Sequence, residues 1–148
     1  MIANPTGDNT RSKTLLSSHR REAGRYFDLR LHVNPDDARR GISFEEEYEY
    51  MSRPGDGGGE YRYVVHTPYS SLPALVRFFE SRTGRVAEPS EDLEDRLTAC
   101  MALLVERGDL EDGIAIKENR DRVAGWFTEA GVPTESDESH WFSMDGMD

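Results

Sequence analysis

Two histidines are spaced in the sequence so that their side chains could bind a metal ion together. His32 and His66 each lie in a segment where apolar and polar residues alternate, on the polar side of a predicted strand. On neighbouring strands, the two rings and a carboxylate such as Asp28 would form a two-histidine, one-carboxylate metal set. A register slip of one residue would send either ring to the opposite face. No HExxH or CxxC spacing supports such a site, and we predict no metal and no cofactor.

Nucleophilic catalysis has three candidate side chains in the sequence. Cys100 falls within an apolar helical stripe, where a thiol is expected to be packed and unreactive. Ser70 and Ser71 stand just before a helical pattern and suit a helix cap, and no GxSxG sequence surrounds them. We therefore predict no catalytic residue, and enzymatic function is less expected than binding.

A row of glutamates is the most specific feature of the sequence. Glu45, Glu47 and Glu49 alternate with Tyr48 and Tyr50 on one predicted strand, so charge and aromatic surface lie close together. Protein interfaces combine tyrosine anchors with steering charges, and we predict these five residues as the partner contact. The alternative is a solvated edge strand protected by like charges. On the first interpretation, Glu47→Lys slows association and leaves the melting temperature nearly unchanged.

The charge of the chain is strongly negative and unevenly distributed. The formal net charge is -11, and mean hydropathy is -0.74. Residues 1–25 hold five basic and two acidic side chains, whereas residues 26–148 hold 13 basic and 27 acidic ones. An acidic body repels phosphate backbones, which disfavours nucleic acid as a partner. It attracts cationic proteins instead.

Alternation of apolar and polar residues predicts three strands, at 26–33, 42–51 and 60–67. A glycine-rich stretch at 53–59 separates the last two and indicates a hairpin tip, because its spacing matches no phosphate-binding loop. Ile114 and Ile116 suggest a further short strand. Trp141 and Phe142 close the chain either as a core-packed strand or as an anchor for a partner.

Three segments show helical periodicity and end signals. The first carries Leu72, Leu75 and Phe79, and Gly84 follows its end. The second begins after Pro89 with Ser90 as the predicted cap, and the third covers roughly 118–130. The order of elements predicts an α+β fold, an antiparallel sheet of three to five strands with about three helices packed on one face.

We predict a flexible basic N-terminal tail over residues 1–24 and a single acidic α+β domain over 25–148. The longest apolar run has seven residues, from Ala99 to Val105, against the 18 or more typical of a membrane span. No membrane association and a cytoplasmic location are therefore expected. The sequence leaves the oligomeric state open.

These observations favour a small acidic protein-binding module that neutralises or escorts a basic protein partner, as an immunity protein or an inhibitor does. One alternative is a small enzyme or ligand-binding domain, with a pocket between sheet and helices that uses His32 and His66. Another is a DNA mimic or a secretion-chaperone-like protein.

Overall fold

The computed structural model describes residues 9–20, 24–50, 58–112 and 114–142 of the 148-residue chain. In chain order, its elements are β1 (Arg11–Arg20), β2 (Arg25–Val33), β3 (Ile42–Tyr50), β4 (Gly59–Thr67), α1 (Leu72–Thr83), α2 (Leu93–Glu106), α3 (Glu118–Glu129) and β5 (Glu135–Phe142). A short 3₁₀ turn, Tyr69–Ser71, precedes α1.

The five strands form one antiparallel sheet in the order β1-β2-β3-β4-β5. With three helices packed against it, the sheet confirms the predicted α+β class. The strands predicted at 26–33, 42–51 and 60–67 are β2, β3 and β4, with ends within one residue of the predicted ones. Most of the stretch at 53–59 lies outside the described residues.

The N-terminal segment differs from the predicted tail, because Arg11–Arg20 form the edge strand β1. Its apolar side chains Leu15 and Leu16 pack against the core, and its main chain pairs along β2. The burial of these two side chains and the main-chain hydrogen bonds to β2 offset the entropy cost of ordering a polar segment. The predicted tail residues 1–8 and 21–23 lie outside the described part.

One hydrophobic core fills the space between the sheet and the helices. Alternate residues of β2, β3 and β4 enter it, with Phe27, Phe44 and Val65 fully buried. Phe79 of α1 meets Trp126 and Phe127 of α3 edge to face. The helical stripes predicted from the sequence are buried in this core.

The helix ends follow from local chemistry, with two differences from prediction. Asp92, not Ser90, caps α2, because its carboxylate accepts a hydrogen bond from the Asp95 backbone N–H at 2.8 Å. Ile114 and Ile116 form no strand, and Ile116 is half exposed. Gly84 ends α1 in the left-handed conformation, at φ 75°.

A buried glutamate of β3 fixes the start of α3. Glu46 lies on the helix-covered face and is fully buried. Its carboxylate accepts hydrogen bonds from the Arg120 backbone N–H at 3.0 Å and from Asn119 Nδ2 at 3.2 Å, and the Tyr48 hydroxyl donates to it as well. An anion at a helix N-terminus satisfies otherwise unpaired N–H groups and the helix dipole. Glu46 thereby joins the sheet to α3.

Among the helices of the described residues, none combines the length and the apolar character needed to cross a membrane.

Candidate functional site

The helices cover one face of the sheet and leave the other open. The strands pair in a regular register except at an irregularity between Thr14 and Leu16 of β1. Side chains on this open face therefore form four rows that cross all five strands. The rows are His19, Tyr26, Glu49, Glu60 and Trp141; Ser17, Asp28, Glu47, Arg62 and Ser139; Thr14, Arg30, Glu45, Val64 and Asp137; and Ser12, His32, Ser43, His66 and Glu135. The face thus carries seven carboxylates and two guanidinium groups.

The middle of the open face is a lattice of ion pairs. The Arg62 guanidinium lies 2.8 Å from a Glu45 oxygen and 3.1 Å from a Glu47 oxygen. From the other side, the Arg30 guanidinium lies 3.1 Å from Glu47 and 3.4 Å from Glu45. The two glutamates are consequently buried beneath arginine side chains although no helix covers them. We call these four residues the ion-pair lattice.

The electrostatics of the ion-pair lattice favour its charged state. Burial raises the pKa of the Glu45 carboxyl, but a hydrogen bond with His32 and the charges of Arg62 and Arg30 outweigh it, and the pKa is lowered overall. Burial lowers the pKa of Arg62, whereas the nearby glutamates raise it above its usual value. The lattice therefore neutralises its own charges.

The five predicted contact residues do not share one surface. Glu45 and Glu47 belong to the ion-pair lattice, and Tyr48 is buried on the covered face. Tyr50 also lies on the covered face, partly buried against the Tyr61 ring. Glu49 alone is exposed on the open face, and within the described residues no basic side chain forms an ion pair with it.

Glu49 belongs to a row that sequence reasoning did not assemble, which we call the aromatic row: His19, Tyr26, Glu49, Glu60 and Trp141. Trp141 is 64% exposed and Tyr26 is 38% exposed. The His19 ring stacks on the Tyr26 ring, with centroids 4.0 Å apart. Burial and the neighbouring Glu47 raise the pKa of the Glu60 carboxyl. The Arg62 guanidinium lies 3.4 Å from a Glu60 oxygen, so the row combines exposed aromatic rings with one carboxylate, Glu49, that has no ion-pair partner among the described residues.

The opposite end of the open face holds the histidine row, which comprises Ser12, His32, Ser43, His66 and Glu135. Ser43 lies between the two histidines in register. Its Oγ is 2.6 Å from His66 Nδ1, and His66 Nε2 is 2.9 Å from an Asp137 oxygen. His32 Nδ1 lies 2.7 Å from Ser12 Oγ, and its Nε2 lies 3.3 Å from a Glu45 oxygen.

A cavity of about 300 Å³ opens on this end of the face and is lined by both histidines. Ser43, Glu45, Arg40 and Arg62 contribute to its walls. The sequence suggested that the two histidines share a face, and they do, but the cavity lies outside the helices and not beneath them. No group of three or more His, Cys, Asp or Glu side chains in the described residues is placed to hold a metal ion.

The other candidate nucleophiles lie apart from this face. Cys100 is buried in α2 beneath α1, and burial raises the pKa of its thiol. Ser71 is buried as the residue before α1 and accepts a hydrogen bond from Thr67. Sequence reasoning missed Ser43, because nothing in its own segment marks it and only register brings it beside His66.

Basic residues of β1 and β2 neutralise acids within the fold. Arg11 lies 3.0 Å from Glu94 of α2, and Arg20 lies 3.1 Å from Asp112. Arg25 also pairs with Asp112, and the Ser18 hydroxyl donates to it. Part of the acidic surplus of the body is thus compensated internally, and the remainder includes Glu49.

Comparison with protein-family models, curated proteins and solved structures found no match.

Proposed function

We propose that this chain is a small acidic protein-binding module that neutralises or escorts a basic protein partner, as an immunity protein or an inhibitor does. Its contact surface is the aromatic row on the open face of the sheet. The supporting observation is that two exposed aromatic rings and two carboxylates lie in one line across the sheet.

Charge indicates the kind of partner. Glu49 and Glu60 are direct neighbours across β3 and β4, and the charges of Glu47 and Glu49 add to the burial that raises the pKa of Glu60. Arg62 lies 3.4 Å from Glu60 and offsets part of this repulsion, and a lysine or arginine side chain of the partner placed beside Glu49 would relieve the rest. The same cation could contact the face of Trp141 or Tyr26, where cation–π attraction contributes about 0.5–1 kcal/mol at exposed sites.

The ion-pair lattice serves this surface as a rigid support. Because Arg30 and Arg62 already neutralise Glu45 and Glu47, those glutamates contribute little attraction for a partner. Steering comes from the acids that lack such compensation, and long-range attraction of this kind raises association rates at low salt.

Capture of a partner from the native host, followed by kinetics on the purified pair, tests this function. We expect a basic protein bound in a fixed ratio, with an association rate constant that falls about tenfold or more from low to high salt. An acidic partner, or binding that does not respond to salt, would refute the proposal.

Assays on the same purified complex distinguish this function from two alternatives, a DNA mimic and a secretion chaperone. A DNA mimic would release a captured DNA-binding protein from its DNA, and a secretion chaperone would bind its client only in an unfolded state. An immunity protein or inhibitor would bind the folded partner and abolish its activity.

A further inference from the structure

The histidine row contains a hydrogen-bonded chain of a serine, a histidine and an aspartate. A carboxylate can only accept a hydrogen bond, so the 2.9 Å contact with Asp137 assigns the ring proton of neutral His66 to Nε2. His66 Nδ1 is then an acceptor, and the Ser43 hydroxyl donates to it at 2.6 Å. This is the arrangement in which an imidazole activates a serine, with the roles of the two ring nitrogens exchanged.

The surroundings give this chain access to a small molecule. Ser43 and His66 both line the cavity of about 300 Å³ on the open face. The guanidinium groups of Arg40 and Arg62 line the same cavity, and guanidinium groups stabilise negative charge that develops on oxygen. Arg40 also lies 3.7 Å from the Asp137 oxygen that contacts His66.

We propose that Ser43 is a nucleophile that takes the acyl group of small activated esters. The Ser43 oxygen attacks the ester carbonyl carbon while its proton passes to His66 Nδ1. Collapse of the tetrahedral intermediate breaks the bond to the leaving alkoxide, which receives that proton. Water then attacks the acyl carbon while its proton passes to His66. The bond from the acyl carbon to the Ser43 oxygen breaks, the acid leaves, and the serine oxygen takes the proton back from His66. Asp137 is the positioning residue that orients the ring.

The same face supplies a matched comparison in Ser12, His32 and Glu45. Ser12 Oγ lies 2.7 Å from His32 Nδ1, but the contact between His32 and Glu45 is longer, at 3.3 Å. The Glu45 carboxylate is also shared with Arg30 and Arg62. Ser12 does not line the cavity that holds Ser43. We therefore expect Ser12 to remain unreactive under conditions that modify Ser43.

A fluorophosphonate tests the nucleophile directly. A bond forms between the Ser43 oxygen and phosphorus, the bond from phosphorus to fluorine breaks, and the serine proton passes to His66. Intact-protein and peptide mass spectrometry should find one adduct, on Ser43, in the full chain. Ser43→Ala should abolish labelling and Ser12→Ala should leave its rate unchanged. No adduct, or an adduct elsewhere, would overturn the proposal.

Ser43 is largely buried, and two further variants test whether His66 and Asp137 activate it. His66→Gln should lower the labelling rate about 100-fold, the usual contribution of a general base. Asp137→Asn changes a half-exposed residue, so it serves if His66→Gln fails to fold. It should slow labelling about tenfold and alter its pH profile, because an amide can donate as well as accept and no longer fixes the ring proton on Nε2. An unchanged rate and profile in Asp137→Asn would contradict the proposed role of Asp137, and wild-type labelling in a folded His66→Gln would overturn the mechanism.

Discussion

Glu45 and Glu46 are neighbours in β3 and are both buried, yet their carboxyl pKa values shift in opposite directions on the two faces of the sheet. On the covered face, burial raises the pKa of Glu46, and neutral donors from Tyr48, Asn119 and the backbone only partly offset this. On the open face, His32 and two arginines lower the pKa of Glu45. A carboxylate can therefore join elements inside the fold or complete a charged lattice outside it, depending on whether its partners are neutral or cationic.

The largest expected effect lies in the covered face. Phe79→Ala removes a fully buried ring that meets Trp126 and Phe127. Large-to-small changes of this kind cost about 3–5 kcal/mol of unfolding free energy. Chemical denaturation measures the loss, and a change near zero would contradict the helix packing.

Loss of the buried Glu46 carboxylate should have the second-largest effect on the free energy of unfolding. Glu46→Ala leaves Asn119, Tyr48 and the Arg120 backbone N–H without their acceptor. Each unsatisfied buried group costs about 1–3 kcal/mol, and we expect a total loss of about 3 kcal/mol. The start of α3 should also exchange its amide hydrogens faster. A stable variant with unchanged exchange at α3 would show that Glu46 does not fix this helix.

Charge reversal within β3 separates the ion-pair lattice from the aromatic row. The sequence suggested that Glu47→Lys would leave stability unchanged, but Glu47 is buried between Arg30 and Arg62. Reversal places three cations together, and we expect a loss of about 2 kcal/mol. The matched variant Glu49→Lys, two residues along the same face, should stay within about 0.5 kcal/mol. Equal melting temperatures for the two variants would contradict the lattice.

The smallest effect is the pH dependence of stability. The lowered pKa of Glu45 contributes stability above its unfolded value near 4.5, and this contribution is lost as the pH falls through the folded value. The raised pKa of Glu46 acts in the opposite direction, because the folded state holds the proton more tightly and loses stability as the pH rises through this range. Denaturation series below pH 6 should therefore be flatter for Glu45→Gln and steeper for Glu46→Gln than for the wild type. The reverse order would contradict the electrostatic difference between the faces.

The covered face was largely predictable from sequence. The alternation around Phe27 and Phe44 and the helical spacing around Phe79 identify the apolar side of each element. A sheet with helices on one side is the simplest way to bury these apolar sides. The strand β1 was missed, because its alternation is weak and its pairing with β2 cannot be read from its own residues. Polar side chains of β1 form ion pairs and hydrogen bonds with residues far away in the sequence, such as Glu94 and Asp112.

The open face depends on register, which the sequence left undetermined. The aromatic row joins residues from β1 to β5, and only pairing brings Trp141 beside Glu60. One signal was available for the histidine row. The pairing of β3 with β4 is symmetric about the point between positions 54 and 55 of the sequence, where Pro and Gly stand. Placing the turn at this dipeptide would have set Ser43 opposite His66.

The association rate of the captured partner with two charge-reversed variants tests the central claim most directly. Glu49→Lys lies in the aromatic row, whereas Glu106→Lys makes the same change at an exposed position at the end of α2. We predict that Glu49→Lys slows association about tenfold at low salt and that Glu106→Lys changes it much less. Equal slowing by both variants, or none by Glu49→Lys, would contradict the assignment of the aromatic row as the binding surface.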